Sequence, residues 1–143
     1  MNAADLQKRT KRFAVRAVLF CRSLPTSWET RRIGGQLIDA ATSVYANYRA
    51  TCRARSRAEF IAKIGVVAEE SDECVGWLEL IQALDLSRAA ELTWLLREAG
   101  ELVAIFSKSQ KTAKENRLGT VALNPSINRQ SPNRQSKLSE APP

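Results

Sequence analysis

A chain of 143 residues fits one domain with a sizeable core, and its 44% hydrophobic content is ordinary for a globular protein. It holds no histidine, which excludes His-assisted nucleophile triads and the common imidazole metal sites. The formal net charge of +7 suits an anionic partner such as nucleic acid, and it also aids solubility.

The first helix is predicted over about residues 4–24. Leu6, Phe13, Ala17, Phe20 and Leu24 recur on one helical face. The remaining surface carries Lys8, Arg9, Lys11, Arg12, Arg16 and Arg22 against a single acid, Asp5. Pro25 stops the helix, because it lacks an amide donor and disfavours helical geometry at the residue before it.

A second helix is expected over about 28–54, with Thr26 and Glu29 at the spacing of a capping box. Its stripe is Ile33, Leu37, Ala41, Val44 and Tyr48. Gly34 and Gly35 weaken it by about 1 kcal/mol each, and with Ala40, Ala41 and Ala46 they allow close approach of a neighbouring helix. Arg31, Arg32, Arg49, Arg53 and Arg55 make this helix basic too.

Ser56-Arg57-Ala58-Glu59 reads as another capping box and sets the start of a third helix, about 57–83. Phe60, Ile64, Val67, Ser71, Cys74, Leu78 and Ile81 alternate steps of four and three, the 3.5-residue repeat of bundled helices. Glu69, Glu70, Asp72, Glu73 and Glu79 occupy its outer faces. A carboxylate-bridged metal site needs Glu-x-x-His pairs on facing helices, and these are missing. Two readings of the acids stay open. One is a solvated or salt-bridged face; the other is pairing of Glu69, Glu70 or Glu73 with arginines such as Arg31 and Arg32 of helix 2 or of another subunit.

Ser87 is the expected cap of a fourth helix, about 88–115, with Leu92, Leu95, Ala99, Leu102 and Phe106 in its stripe. Lys108, Lys111 and Lys114 suit a helix C-terminus. Beyond that the periodicity ends. Residues 118–143 are rich in Ser, Asn, Pro, Gln and Arg, contain NRQS twice, and are expected to form a disordered basic tail.

Charge is segregated along the chain. Residues 1–25 carry +5, 26–55 carry +3 and 56–86 carry −5. The candidate nucleic-acid contacts are therefore Lys8, Arg9, Lys11, Arg12, Arg16, Arg49, Arg53, Arg55 and Arg57, which would bind phosphates without reading sequence. The tryptophans and tyrosines fall mostly at helical spacing and suit core or interface packing, with Tyr45 the best candidate for exposure. Cys21, Cys52 and Cys74 form no CxxC pair and fit reduced, buried thiols of a cytoplasmic protein. No stretch approaches the roughly 18 apolar residues of a membrane span, so no membrane partner is expected.

One further pattern lies in the central helices. Gln36-Leu37, Ala40-Ala41, Ser43-Val44, Asn47, Arg55-x-x-x-Glu59-Phe60, Ile64-Gly65 and Glu69 resemble the bacterial four helix bundle protein family. That family includes the proteins encoded in intervening sequences of 23S ribosomal RNA genes, often labelled S23 ribosomal proteins. It is similar to the accessory variability determinant of diversity-generating retroelements. The resemblance covers about residues 5–117. It departs at Arg49-Ala50, where many members have Glu-Gly. It implies a ring-shaped homopentamer and, by analogy with the accessory protein, a reverse transcriptase as partner.

The expectation is thus an all-α, antiparallel up-down-up-down four-helix bundle over residues 1–117, followed by the tail. It is expected to be a non-enzymatic homo-oligomer, without cofactor or metal. It would bind RNA, DNA or a nucleoprotein such as a reverse transcriptase through its basic surfaces. The alternative is an oligomeric protein-interaction module with no nucleic-acid role.

Overall fold

The computed structural model describes residues 1–123, with side chains as far as Asn116. Its four helices are α1 (Ala3–Ser23), α2 (Trp28–Thr51), α3 (Arg57–Ala83) and α4 (Ala90–Leu123). The connections span four, five and six residues, which favours antiparallel neighbours. Each helix packs on the next, and α4 packs back on α1, closing an up-down-up-down bundle.

Every helix feeds the core at alternating spacings of three and four. α1 buries Thr10, Phe13, Ala17 and Phe20, and α2 buries Thr30, Gly34, Leu37, Ala41, Val44, Tyr48 and Thr51. α3 buries Ile64, Val67, Ser71, Cys74, Leu78 and Ile81, and α4 buries Leu92, Leu95, Ala99, Leu102 and Phe106. This is the seam of helices that cross at a shallow angle and interlock over their whole length. The stripes expected from the sequence are the buried ones; only Leu6, Ile33 and Phe60, nearer the helix ends, are half-buried. The core hydroxyls of Thr10, Thr51 and Ser71 cost little, because each finds a carbonyl one turn back. Thr10 donates to Leu6 at 2.9 Å, Thr51 to Asn47 at 2.8 Å and Ser71 to Val67 at 2.7 Å.

Helix ends are set by side-chain caps. Asn2 and Asp5 form a reciprocal capping box on α1, at 2.9 and 3.1 Å. α2 is capped by Ser27, which accepts from the Thr30 amide at 3.2 Å, so the expected Thr26–Glu29 box is displaced by one residue. Ser56 accepts from the Glu59 amide at 3.1 Å as expected, whereas Glu59 reaches past Ser56 and accepts from the Arg55 amide at 3.2 Å. α3 ends in a Schellman arrangement: Leu86 N–H donates to Ile81 and Asp85 N–H to Gln82, with Asp85 at φ 52°. Arg88 then forks onto the Asp85 carboxylate at 3.0 and 2.8 Å. Ser87 accepts from the Ala89 amide, and α4 starts at Ala90 instead of 88.

Two boundaries differ from expectation for backbone reasons. α2 stops at Thr51, not 54, because Arg53 and Ala54 turn tightly onto the carbonyls of Ala50 and Thr51. α4 runs past 115 to Leu123, because no proline interrupts the chain before Pro125. The six residues 118–123 of the expected tail are therefore helical, and the rest of that tail lies outside the described residues. Cys74 is buried and Cys21 half-buried, and burial pushes their thiols up to about 12 and about 11. Cys52, expected to be buried, is exposed at the α2–α3 corner.

Candidate nucleic-acid interface

Antiparallel packing brings the N-terminus of α1, the α2–α3 corner and the C-terminal half of α4 to the same end of the bundle. A cleft of about 560 Å³ there is lined by Leu6, Tyr48, Arg57, Phe60, Ser109 and Asn116, among others, which places these elements side by side. Gln110 of α4 donates to the Ile61 carbonyl of α3 at 3.2 Å and fixes their mutual height.

This arrangement turns the charge pattern of the sequence into an axial one. Residues 1–14, 41–68 and 103–116 make up the corner end and hold twelve basic and three acidic residues, a net +9. Residues 15–40 and 69–102 make up the opposite end and hold six basic and eleven acidic residues, a net −5. Lys8, Lys11, Arg53 and Arg57 are exposed at the corner end without an ion-pair partner among the described residues. Arg49 is exposed and lies 5.7 Å from the Tyr45 ring centre. Arg55 is highly exposed, with a 3.7 Å contact to Glu59 that screening makes weak. Tyr45 itself is half-buried.

Two of the nine candidates are engaged inside the molecule. Arg9 forks onto Glu98 of α4 at 2.5 and 3.0 Å and also contacts Glu101. Arg16 forks onto Glu91 at 2.7 and 2.7 Å. Its guanidinium lies 3.4 Å from the centre of the Trp94 ring, and Arg12 lies 5.4 Å from the same ring. These pairs hold the α1–α4 seam. Glu91 is held below the usual carboxylate range, first by its hydrogen bonds from Arg16. Arg9 and Arg16 are raised, chiefly by the hydrogen bonds they donate to Glu98 and Glu91.

The linear order of residues does not by itself pair α1 with α4, though it holds a signal of this seam. Arg9 and Arg16 are seven apart, and so are Glu91 and Glu98. Lys108, Lys111 and Lys114, expected only as helix-end charges, do more than that. All three are exposed at the corner end and extend the basic surface onto α4.

Beyond Glu59, the acids of α3 take no arginine among the described residues. Glu69 and Glu73 are exposed and Glu70 half-buried, and neither they nor Arg31 and Arg32 of α2 form an ion pair among the described residues. Burial first, then the neighbouring Glu73 and Glu69 charges, pushes Glu70 up. No group of three or more potential metal-ligating side chains converges among the described residues. None of the described helices is long and apolar enough to cross a membrane.

Residues 3–108 match the family described as 23S rRNA-intervening sequence protein. The fold is similar to a crystal structure, at 1.70 Å, of a protein of unknown function from the S23 ribosomal protein family of Bacteroides thetaiotaomicron VPI-5482. The two are 25% identical, with a TM-score of 0.70 over 78% of this chain and 99% of that one. No curated protein matches the chain.

Proposed function

The chain belongs to the 23S rRNA-intervening sequence protein family, and from that premise we propose that it is a non-enzymatic, self-associating bundle that binds nucleic acid through its corner end. The observation that carries this reading is the axial charge separation, net +9 at the corner end against −5 at the other. Exposed cations from three separate elements lie at one end of the bundle: Lys8 and Lys11, then Arg49, Arg53 and Arg57, then Lys108, Lys111 and Lys114. Such a surface attracts phosphates from any direction and reads no bases, so affinity for structured RNA or DNA falls steeply with salt. Self-association would multiply the number of basic ends and so the avidity.

The test is filter binding to a structured RNA over a salt series. Reversal of Arg53 and Arg57 to Glu should weaken binding and flatten the salt slope by about one unit per lost contact. Absence of binding at low salt would overturn the reading and leave a protein-interaction module, including one that docks on a reverse transcriptase.

A further inference from the structure

The seam of α4 does not stop at Phe106. Its alternating steps of three and four continue through Ser109, Ala113 and Asn116, but these side chains are small or polar. The same end of the bundle holds the first seam residues of the two neighbouring helices, Leu6 of α1 and Phe60 of α3, both half-buried. The last layer of the bundle is therefore underfilled. An unfilled layer costs stability, so packing within the chain gives no reason to leave it open.

Two clefts result. The one of about 560 Å³ described above reaches Tyr48, whose buried ring packs on Phe106 with 5.2 Å between centres. A second, of about 480 Å³, lies between α3 and α4 and takes in Ile105, Lys108 and Thr112. They adjoin along Phe60, Ser109, Ala113 and Asn116, which line both. Together they make a furrow that crosses Phe60, with room for a small organic group on either side of the ring.

Charge narrows the occupant. Arg57 lines the first cleft and Lys108 the second; both are exposed, and neither forms an ion pair among the described residues. No acidic side chain among the described residues lines either cleft. An amphiphile with a single anionic head group would use only one of the two cations. A chain of phosphates that carries flat bases matches both, with an aromatic platform between them. A duplex hides the faces of its bases in its own stack, so only an unpaired stretch can offer them.

We propose that this furrow takes single-stranded nucleic acid, with a base lying on the Phe60 ring and the flanking phosphates on Arg57 and Lys108. The inference rests on the nucleic-acid part of the function proposed above and names the form of nucleic acid that the corner end prefers. Stacking tolerates every base, so the preference is for unpaired strands and not for a sequence. The small residues at Ser109 and Ala113 then have a purpose: they keep the platform uncovered.

Fluorescence anisotropy with three labelled probes tests this: an oligouridylate of about ten nucleotides, a strand of the same length without bases, and a blunt duplex. At equal salt the native chain should hold the oligouridylate about tenfold more tightly than the abasic strand. Phe60→Ala should erase that difference and Phe60→Tyr should keep it. Ala113→Leu, which fills the furrow and leaves every charge in place, should erase it too, with duplex binding unchanged. Equal affinity of the native chain for the base-bearing and abasic strands, or a difference that survives Phe60→Ala and Ala113→Leu, would overturn the inference and leave the cationic reading standing. Failure to bind any of the three probes at low salt would overturn both. Displacement of the oligouridylate by oligoglutamate of equal charge, as readily as by unlabelled strand, would overturn it in favour of an acidic peptide. If circular dichroism shows that Phe60→Ala has lost helicity, Ala113→Leu decides by the same criterion.

Discussion

Arginine chemistry in this protein depends on what stands opposite each side chain. Arg9 and Arg16 belong to the same basic helix as Lys8 and Arg12, yet Glu98 and Glu91 take them into bidentate pairs. The pairing has a pH signature. Glu91 sits below the carboxylate range because Arg16 bonds it, so its contribution to stability is whole above the unfolded value of about 4.3 and is lost as pH falls through the folded value. Glu70, raised by burial and by Glu73 and Glu69, works in the opposite sense and is relieved as pH falls. Glu91→Gln should therefore lower the thermal midpoint at pH 7 and flatten its decline below about pH 4.3, as followed by circular dichroism melts. An unchanged acid limb would remove Glu91 from the account.

Among the helices, two glycines stand in opposite situations. Gly100 of α4 is exposed with nothing within 4 Å of its Cβ position, so Gly100→Ala should stabilise the fold by about 1 kcal/mol. At Gly65 a Cβ would lie 2.4 Å from Gln110 Nε2, the end of the side chain that ties α4 to the Ile61 carbonyl. Gly65→Ala gains the same helix propensity but displaces that bond, which is worth about 1 kcal/mol, so the net change should be near zero. Urea melts of the two variants should differ by about 1 kcal/mol; equal gains would show that the Gln110 bridge contributes nothing. Gly65 also belongs to the segment that carried the family resemblance. Its neighbours there are mostly structural: Leu37, Ala40, Ala41, Val44 and Ile64 are core, and Glu59 closes the corner.

For the whole molecule, the axial charge separation governs the expected binding. Lys108, Lys111 and Lys114 sit on α4, far in sequence from the arginines of the corner, yet they share its end. Reversing all three to Glu should reduce RNA affinity comparably to reversing Arg53 and Arg57. Reversing Arg31 and Arg32 of α2, at the other end, should leave the intrinsic affinity of one copy almost unchanged. Fluorescence anisotropy at two salt concentrations, at protein levels below self-association, distinguishes them. Equal losses in the two sets would mean that net charge, not the basic end, drives binding.

Much of this was legible in the chain itself. Apolar residues at a 3.5-residue repeat can be buried only along a shallow helix seam. That spacing named the four helices and almost every core residue from Phe13 to Phe106. The Ser56 cap fixed the start of α3 to the residue, because a hydroxyl three positions before an amide satisfies a local bond that needs no tertiary partner. The family resemblance rested on the same local segments. What the linear pattern could not contain is which charges meet across the bundle. Ion pairs between α1 and α4 join residues separated by 75 to 92 positions. The joining of α1, the corner and α4 into one basic end follows from the antiparallel path of the chain. Packing decided that Arg9 and Arg16 hold the fold together while their neighbours stay open, and that Phe60 lies half-buried where two clefts adjoin.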